Sequence, residues 1–372
     1  MSASFGLTAT EVPSLSTVAP AAAGFDVERL RAAVDFAGEH EIGWSRDIAA
    51  QLAQGQFEPP PWNEILGPTS ARGGPQGVIV RHGQLAAAWG DPDRADMTFS
   101  VAKSYLAVLA GIAFADGLIS DPSERVGERI TDGGFDSEQN RSITWEHLLQ
   151  QTSEWEGTVW SKPDEVDRYR QLGPQADNSR KGEARPLAPP GQYWEYNDVR
   201  VNRLSLSLMQ LFRRPLPEVL AERIMLPLGA SDDWAWRGYD NAWEEIDGRR
   251  LQGVPGGSHW GGGLWIGARD QARLGQLILQ EGRWSGRELL PAAWCARMLS
   301  PCAINPEYGY LWWLNGGRQR WPAASERAAA AIGAGGNVIL VDPAHDLVVA
   351  ARWLDDDATA AFVGLVIDAI AD

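Results

Sequence analysis

The sequence predicts an α/β chain in which one sheet is built from both ends and a mostly helical region is inserted between them. Two observations carry this. Strand-like runs cluster near the N-terminal quarter (Gly77 to Trp89) and in the C-terminal third (Tyr308 to Leu314, Asn337 to Val341, Leu347 to Trp353), whereas helical periodicity dominates the middle. The longest apolar run, Ser100 to Ala115, is apolar nearly all round and reads as a buried helix.

The elements follow in order. Residues 1–24 are polar, then rich in Pro and Ala, and read as a loosely held arm. Phe25 to Glu39 is amphipathic, with Val27, Leu30, Ala33, Val34 and Ala37 at helical spacing. Residues 41–75 carry many Gly and Pro and read as irregular. Gly77 to Trp89 is a hairpin about His82-Gly83. The Ser100 helix stops at Asp116-Gly117. Thr144 caps a helix that carries His147, which reads as a packed or capping residue. Residues 153–190 are polar and longer than a normal connection, a length that often goes with function, and they are placed to drape over a cleft. Helices are expected over Val199–Phe212, Pro215–Leu226, Ala268–Gln280 and Thr359–Ala371. The resulting domains are an arm over 1–24, a sheet domain over 25–98 and 270–372, and a helical domain with the site loops over 99–269.

The composition is that of an ordinary globule of 372 residues, and its 33 basic and 49 acidic residues leave a net charge of −16. That balance argues against nucleic acid and anionic membrane as partners, since both need a basic face. No apolar stretch is long enough to span a bilayer, and the N-terminus lacks the pattern of a secretory leader, so the expected location is cytoplasmic. Cys295 and Cys302, spaced C-x6-C with no nearby His, do not suggest zinc; a disulfide is allowed but unsupported.

The chemistry starts at Ser100 and Lys103. Three residues apart on a helix, they share a face and can touch. Lysine is scarce: only Lys103, Lys162 and Lys181 stand against 30 arginines. A guanidinium cannot release a proton at usable pH, whereas a desolvated ammonium can. A serine hydroxyl needs such a base to become a nucleophile, and the helix N-terminus favours negative charge developing beside it.

Ser100-Val101-Ala102-Lys103 resembles the first motif of the serine β-lactamase and penicillin-binding-protein superfamily. Pro190-Gly191 followed by Tyr196-Asn197-Asp198 resembles the second motif of its class C branch, a Tyr-x-Asn after Pro-Gly. Ala331-Ile332-Gly333 falls where the third motif, Lys-Thr-Gly, is expected. The match spans about residues 75–355 and is closest to family VIII carboxylesterases, D-amino-acid peptidases and 6-aminohexanoate-dimer hydrolases. It implies an antiparallel sheet flanked by helices with an inserted all-helical domain. It further implies Ser100 as nucleophile, Lys103 as its base and Tyr196 as the partner that shares the proton. The oxyanion hole would be the amides of Ser100 and Ala334, and Asp198, His259, Trp260, Gly333 and Gly335 would contact substrate. No metal or organic cofactor is implied.

Two departures from the family pattern matter. Asp198 stands where Asn is usual: it either strengthens the charged form of Lys103, points away, or binds a cationic substrate group. Ala331 stands where a substrate carboxylate is normally held by Lys, which argues against β-lactams and for a small neutral ester or amide. His259, cradled by glycines, is a candidate relay or donor. The expected activity is acyl-enzyme hydrolysis of a small ester or amide. The alternatives are a β-lactamase or D-stereospecific peptidase and, in another class, a non-catalytic ligand-binding protein on the same scaffold.

Overall fold

The computed structural model describes residues 15–55, 57–172 and 176–371. The strands of its two larger sheets, in chain order, are β1 (Gln76–Arg81), β2 (Gln84–Trp89), β3 (Asp96–Met97), β4 (Ala235–Arg237), β5 (Gly263–Ile266), β6 (Trp313–Leu314), β7 (Ala329–Gly333), β8 (Asn337–Asp342) and β9 (Leu347–Arg352). Its main helices are α1 (Val27–Glu39), α2 (Val101–Ala115), α3 (Asp198–Phe212), α4 (Ala268–Leu279) and α5 (Thr359–Asp368).

The two ends of the chain do meet in one sheet. Six antiparallel strands lie in the order β6-β7-β8-β9-β1-β2, and the N-terminal β1 pairs with the C-terminal β9, Ile79 opposite Val349. Side chains alternate across the strands. Val78, Val80, Ile339, Val341, Val348 and Ala350 face a core shared with α2 and α4. Ile79, Val338, Leu340, Leu347, Val349 and Ala351 face a second core closed by α1 and α5. Because both faces are covered, β8 and β9 read as continuous apolar runs rather than alternating ones.

The β1–β2 hairpin turns at His82-Gly83, both at positive φ (53° and 70°), as the sequence predicts. The YGYLWWL run does not form a full strand. Only Trp313–Leu314 pairs with β7, while Leu311 takes a φ of 58° and the chain bends before it.

The arm is not loose over 15–24. Val18 donates to Leu85 O and Leu85 to Ser16 O, both at 3.0 Å, so the arm covers the free edge of β2. The rest of the expected arm, 1–14, lies outside the described residues.

The inserted region is more than helical. It contributes β4 and β5 to a three-stranded sheet with β3, and a hairpin of Trp243–Ile246 with Arg249–Gln252. Asp247 and Gly248 turn that hairpin at φ 54° and 69°, the Asp-Gly signal for a two-residue turn. Fully buried Arg352 ties the two sheets together. It donates to Asn337 Oδ1 at 2.6 Å, to Met97 O at 2.7 Å and to Ile266 O. Burial pulls its guanidinium down to about 10, against the opposing charges of Asp96 and Tyr105.

Cys295 and Cys302 are buried free thiols. Burial pushes the Cys295 thiol up to about 12, so it is inert rather than nucleophilic. Among the described residues no helix is long and apolar enough to cross a membrane.

Candidate active site

Ser100 is the N-cap of α2, and the chain reaches it through Phe99 at φ 51°, a left-handed conformation rare for a bulky residue. Phe99 is held there by the rings of Trp44, Phe57 and Trp353, at centroid distances of 5.5, 5.9 and 6.4 Å. Val101 to Ala113 are all buried, so the helix is a fixed post in the core. Lys103 Nζ donates to Ser100 Oγ at 2.8 Å, to Gly256 O at 3.2 Å and to Asp198 Oδ1. Its three N–H groups are thus all used, which is the geometry of an ammonium. Ser100 keeps 7% of its surface exposed and Lys103 2%, so the base is the more deeply buried of the two.

Tyr196 joins them. Its ring centroid is 4.9 Å from Lys103 Nζ and 5.1 Å from Arg170 Cζ, and it stacks on Trp313 at 5.8 Å. Two cations thus lie against one phenol ring, whose negative face attracts them.

The third-motif strand also arrives at the nucleophile. A Cβ on Gly333 would stand 2.0 Å from Thr98 O and 3.0 Å from the nitrogens of Ser100 and Val101, so only glycine lets β7 run this close. Gly333→Ala is expected to push β7 off the Ser100 amide, lowering stability by about 1–3 kcal/mol and turnover with it. Denaturant melts and kinetics on the variant check this. Ala331 is buried on the face turned to α2.

Gly335 lies in the β7–β8 turn, against Trp353 and Trp44. Ala334 is at the same turn, its carbonyl accepting from Asn337 Nδ2 at 2.7 Å. Trp260 is fully buried and donates its indole N–H to Trp62 O at 2.7 Å; it packs behind the site instead of lining it. His147 forms a reciprocal capping box with Thr144.

Asp198 and His259 do not face open space, as substrate contacts would. They form a buried charged cluster beneath Ser100. Asp198 Oδ1 accepts from Lys103 and Oδ2 from Arg170, so both oxygens are already paired with cations of this chain. Its backbone N–H donates to Asp167 Oδ2 at 2.7 Å. Burial alone would raise the Asp198 carboxyl, but the positive charges it meets, His259 when its ring is protonated together with Lys103 and Arg170, outweigh it and hold the group well below the usual carboxylate range. His259 Nε2 stands 3.1 Å from Arg170 Nη2 and 3.4 Å from Asp198 Oδ2, and Phe57 stacks on its ring at 4.3 Å. Lys181 Nζ bonds Glu58 and lies 3.1 Å from Asp167 Oδ1. Glu58, Asp167 and His259 bring donor atoms within 4.8 Å of one another, a composition that suits a metal ion. The Lys181 ammonium already supplies the cation between the two carboxylates.

Asp167, Arg170, Lys181 and Glu58 are the residues that sequence reasoning missed. Three of them come from the long polar stretch 153–190, whose length was the one available signal. A second network pins that stretch to α3. Arg200 donates to Glu154 Oε1 at 2.7 Å and lies 3.2 Å from Glu195 and 3.3 Å from Asp164, while Arg185 bonds Glu154 and Glu195 at 2.6 and 2.9 Å. Burial raises both Glu carboxyls; the arginines overcome it at Glu154, which ends below its ordinary value, but not at Glu195, which ends above. Arg200→Met leaves three buried carboxylates short of a partner and is expected to cost about 3–5 kcal/mol. Urea unfolding reads this, and an unchanged midpoint would contradict it.

The β-lactamase family profile matches residues 63–355, most of the chain, and the chain belongs to that family. The fold is shared with solved structures of low identity. A family VIII carboxylesterase superposes with a TM-score of 0.59 at 15% identity, covering 92% of this chain and 96% of that one. A candidate 6-aminohexanoate-dimer hydrolase from Bacillus anthracis gives 0.57 at 19%, covering 79% and 78%. A penicillin-binding-protein homologue from Caulobacter crescentus gives 0.56 at 16%, covering 86% and 95%. No curated protein matches the sequence significantly.

Proposed function

We propose that this chain is a serine hydrolase that cleaves a small ester or amide through an acyl-enzyme on Ser100. The observation that carries the reading is the 2.8 Å contact between Lys103 Nζ and Ser100 Oγ at the head of a buried helix, with Tyr196 against the same ammonium. In its neutral form Lys103 takes the Ser100 proton as the hydroxyl attacks the substrate carbonyl. The amides of Ser100 and Ala334 receive the oxyanion, and Tyr196 passes the proton to the leaving group. Water then repeats the sequence to release the acid.

The carboxylesterase among the structural neighbours supports the ester, and Ala331 speaks against β-lactams, because no lysine is present there to hold their carboxylate. The test is turnover by the wild type and by Ser100→Ala on p-nitrophenyl esters, short amides and nitrocefin. Ser100-dependent ester or amide turnover with slow nitrocefin hydrolysis is expected; fast nitrocefin turnover would favour a β-lactamase.

One observation favours a rival. The Lys103 ammonium is fully satisfied by Ser100, Asp198 and Gly256, as a purely structural pair in a non-catalytic ligand-binding protein would be. Absence of Ser100-dependent turnover on every substrate class would favour that rival.

A further inference from the structure

Lys103 can act as a base only after losing a proton, and the buried cluster around it determines where that proton goes. Lys103, Arg170 and Lys181 face Asp198, Asp167 and Glu58, three cations against three anions, with no side chain more than 9% exposed. With Lys103 charged and His259 neutral the cluster sums to zero. Loss of the Lys103 proton to solvent would leave an uncompensated buried negative charge, which is costly. Transfer of that proton to His259 leaves the sum at zero.

We propose that His259 is the proton reservoir of the site, holding the proton that Lys103 sheds to become the base, with Asp198 bridging the two. This rests on the hydrolase reading above. Asp198 Oδ1 bonds Lys103, and Oδ2 stands 3.4 Å from His259 Nε2. Arg170 can only donate, so Nε2 accepts from it at 3.1 Å and its lone pair points into the cluster. Nδ1 therefore carries the ring hydrogen and faces Glu58 Oε1 at 3.7 Å; both atoms are buried and lack a hydrogen-bond partner. A charged imidazolium gives up the Arg170 contact and turns its N–H groups toward Asp198 Oδ2 at 3.4 Å and Glu58 Oε1 at 3.7 Å, so both its neighbours are anions.

In the transfer, an Nζ–H bond of Lys103 breaks with its electron pair left on nitrogen, Asp198 carries the proton as a transient carboxylic acid, and the proton then bonds to the Nε2 lone pair and restores the carboxylate. One positive charge moves and none is created. Among the described residues, the other charged or titratable groups around His259 are already engaged. Asp167 lies within the same 4.8 Å cluster and Lys181 holds Asp167 and Glu58. Phe57 and Trp260 cover the ring, and burial keeps the nearby Tyr239 phenol protonated. His259 acts through Lys103 and touches no reacting atom.

The pH profile distinguishes this role from a structural one. Wild-type kcat/KM on a p-nitrophenyl ester is expected to stay nearly flat from about pH 7 to 9, because the Lys103–His259 pair keeps one proton throughout. His259→Gln, which cannot take the proton, is expected to fall by about 100-fold at pH 7 and to climb about tenfold per pH unit as Lys103 ionises into solvent. His259→Asn, of different size, must show the same slope.

Asp198→Asn removes one anion, so neutral Lys103 and neutral His259 then balance the cluster, and adding His259→Gln to it should change turnover little. A His259 variant whose turnover is unchanged, or reduced by one constant factor at every pH, would overturn the proposal. So would multiplying penalties in the double variant. Wild-type turnover that survives in Ser100→Ala would instead refute the hydrolase reading, and this inference with it.

Discussion

Ser100→Ala is expected to lower ester or amide turnover by roughly 10⁴-fold or more, with the fold intact. The loss is large because nothing nearby can substitute. Ser104, the next hydroxyl along α2, is buried and donates to Leu311 O at 2.7 Å, turned away from Lys103. The structural cost is small because the Ser100 side chain makes no capping bond to its helix, and its one bond to Lys103 is worth about 1 kcal/mol. Kinetics on the purified variant beside its melting curve separate the two effects. A well-folded Ser100→Ala protein that still turns over substrate would mean that another residue is the nucleophile.

Lys103→Arg is expected to reduce turnover by about 10³-fold. Arginine keeps the positive charge toward Asp198 and Tyr196, so the ion pair and the electrostatics around the phenol ring persist in kind. What it lacks is a neutral form at usable pH. Raising the pH should therefore fail to rescue Lys103→Arg, although it rescues the His259 variants. Full activity in Lys103→Arg would remove Lys103 as the base and leave the pair with a structural role only.

The features that could be read from the sequence were local ones. The His82-Gly83 hairpin, the apolar runs of β8 and β9, and the stop signal of α2 each lie within a dozen residues, where period and turn chemistry suffice. Ser100, Lys103 and Tyr196 carried motif spacing. The charged cluster carried none. Asp198 reaches Arg170 across a loop and Glu58 reaches Lys181 across more than a hundred residues, so no window contains the pairing.

Lysine scarcity pointed to Lys103 alone, yet the fold gathers Lys181 into the same cluster. The substitution of Asp198 for the expected Asn looked like a defect while its surroundings were unknown. Beside Arg170 and His259 it becomes one side of a balanced set of charges. Trp260 differs in the opposite direction: expected as a substrate contact, it is buried, and the glycines after it allow close packing around Gly67 and Ser258. The Asp247-Gly248 turn carries a two-residue hairpin signal, but the aromatic and acidic residues around it mask the strand alternation.

The claim on which the rest depends is that Ser100 is a nucleophile activated by Lys103. Incubation of the intact chain with a fluorophosphonate, followed by peptide mass spectrometry, tests it without knowledge of the substrate. The expected result is one covalent adduct on the peptide containing Ser100, absent in Ser100→Ala and formed much more slowly in Lys103→Arg. An unlabelled Ser100 in the wild type, or labelling that persists in Ser100→Ala, would contradict it.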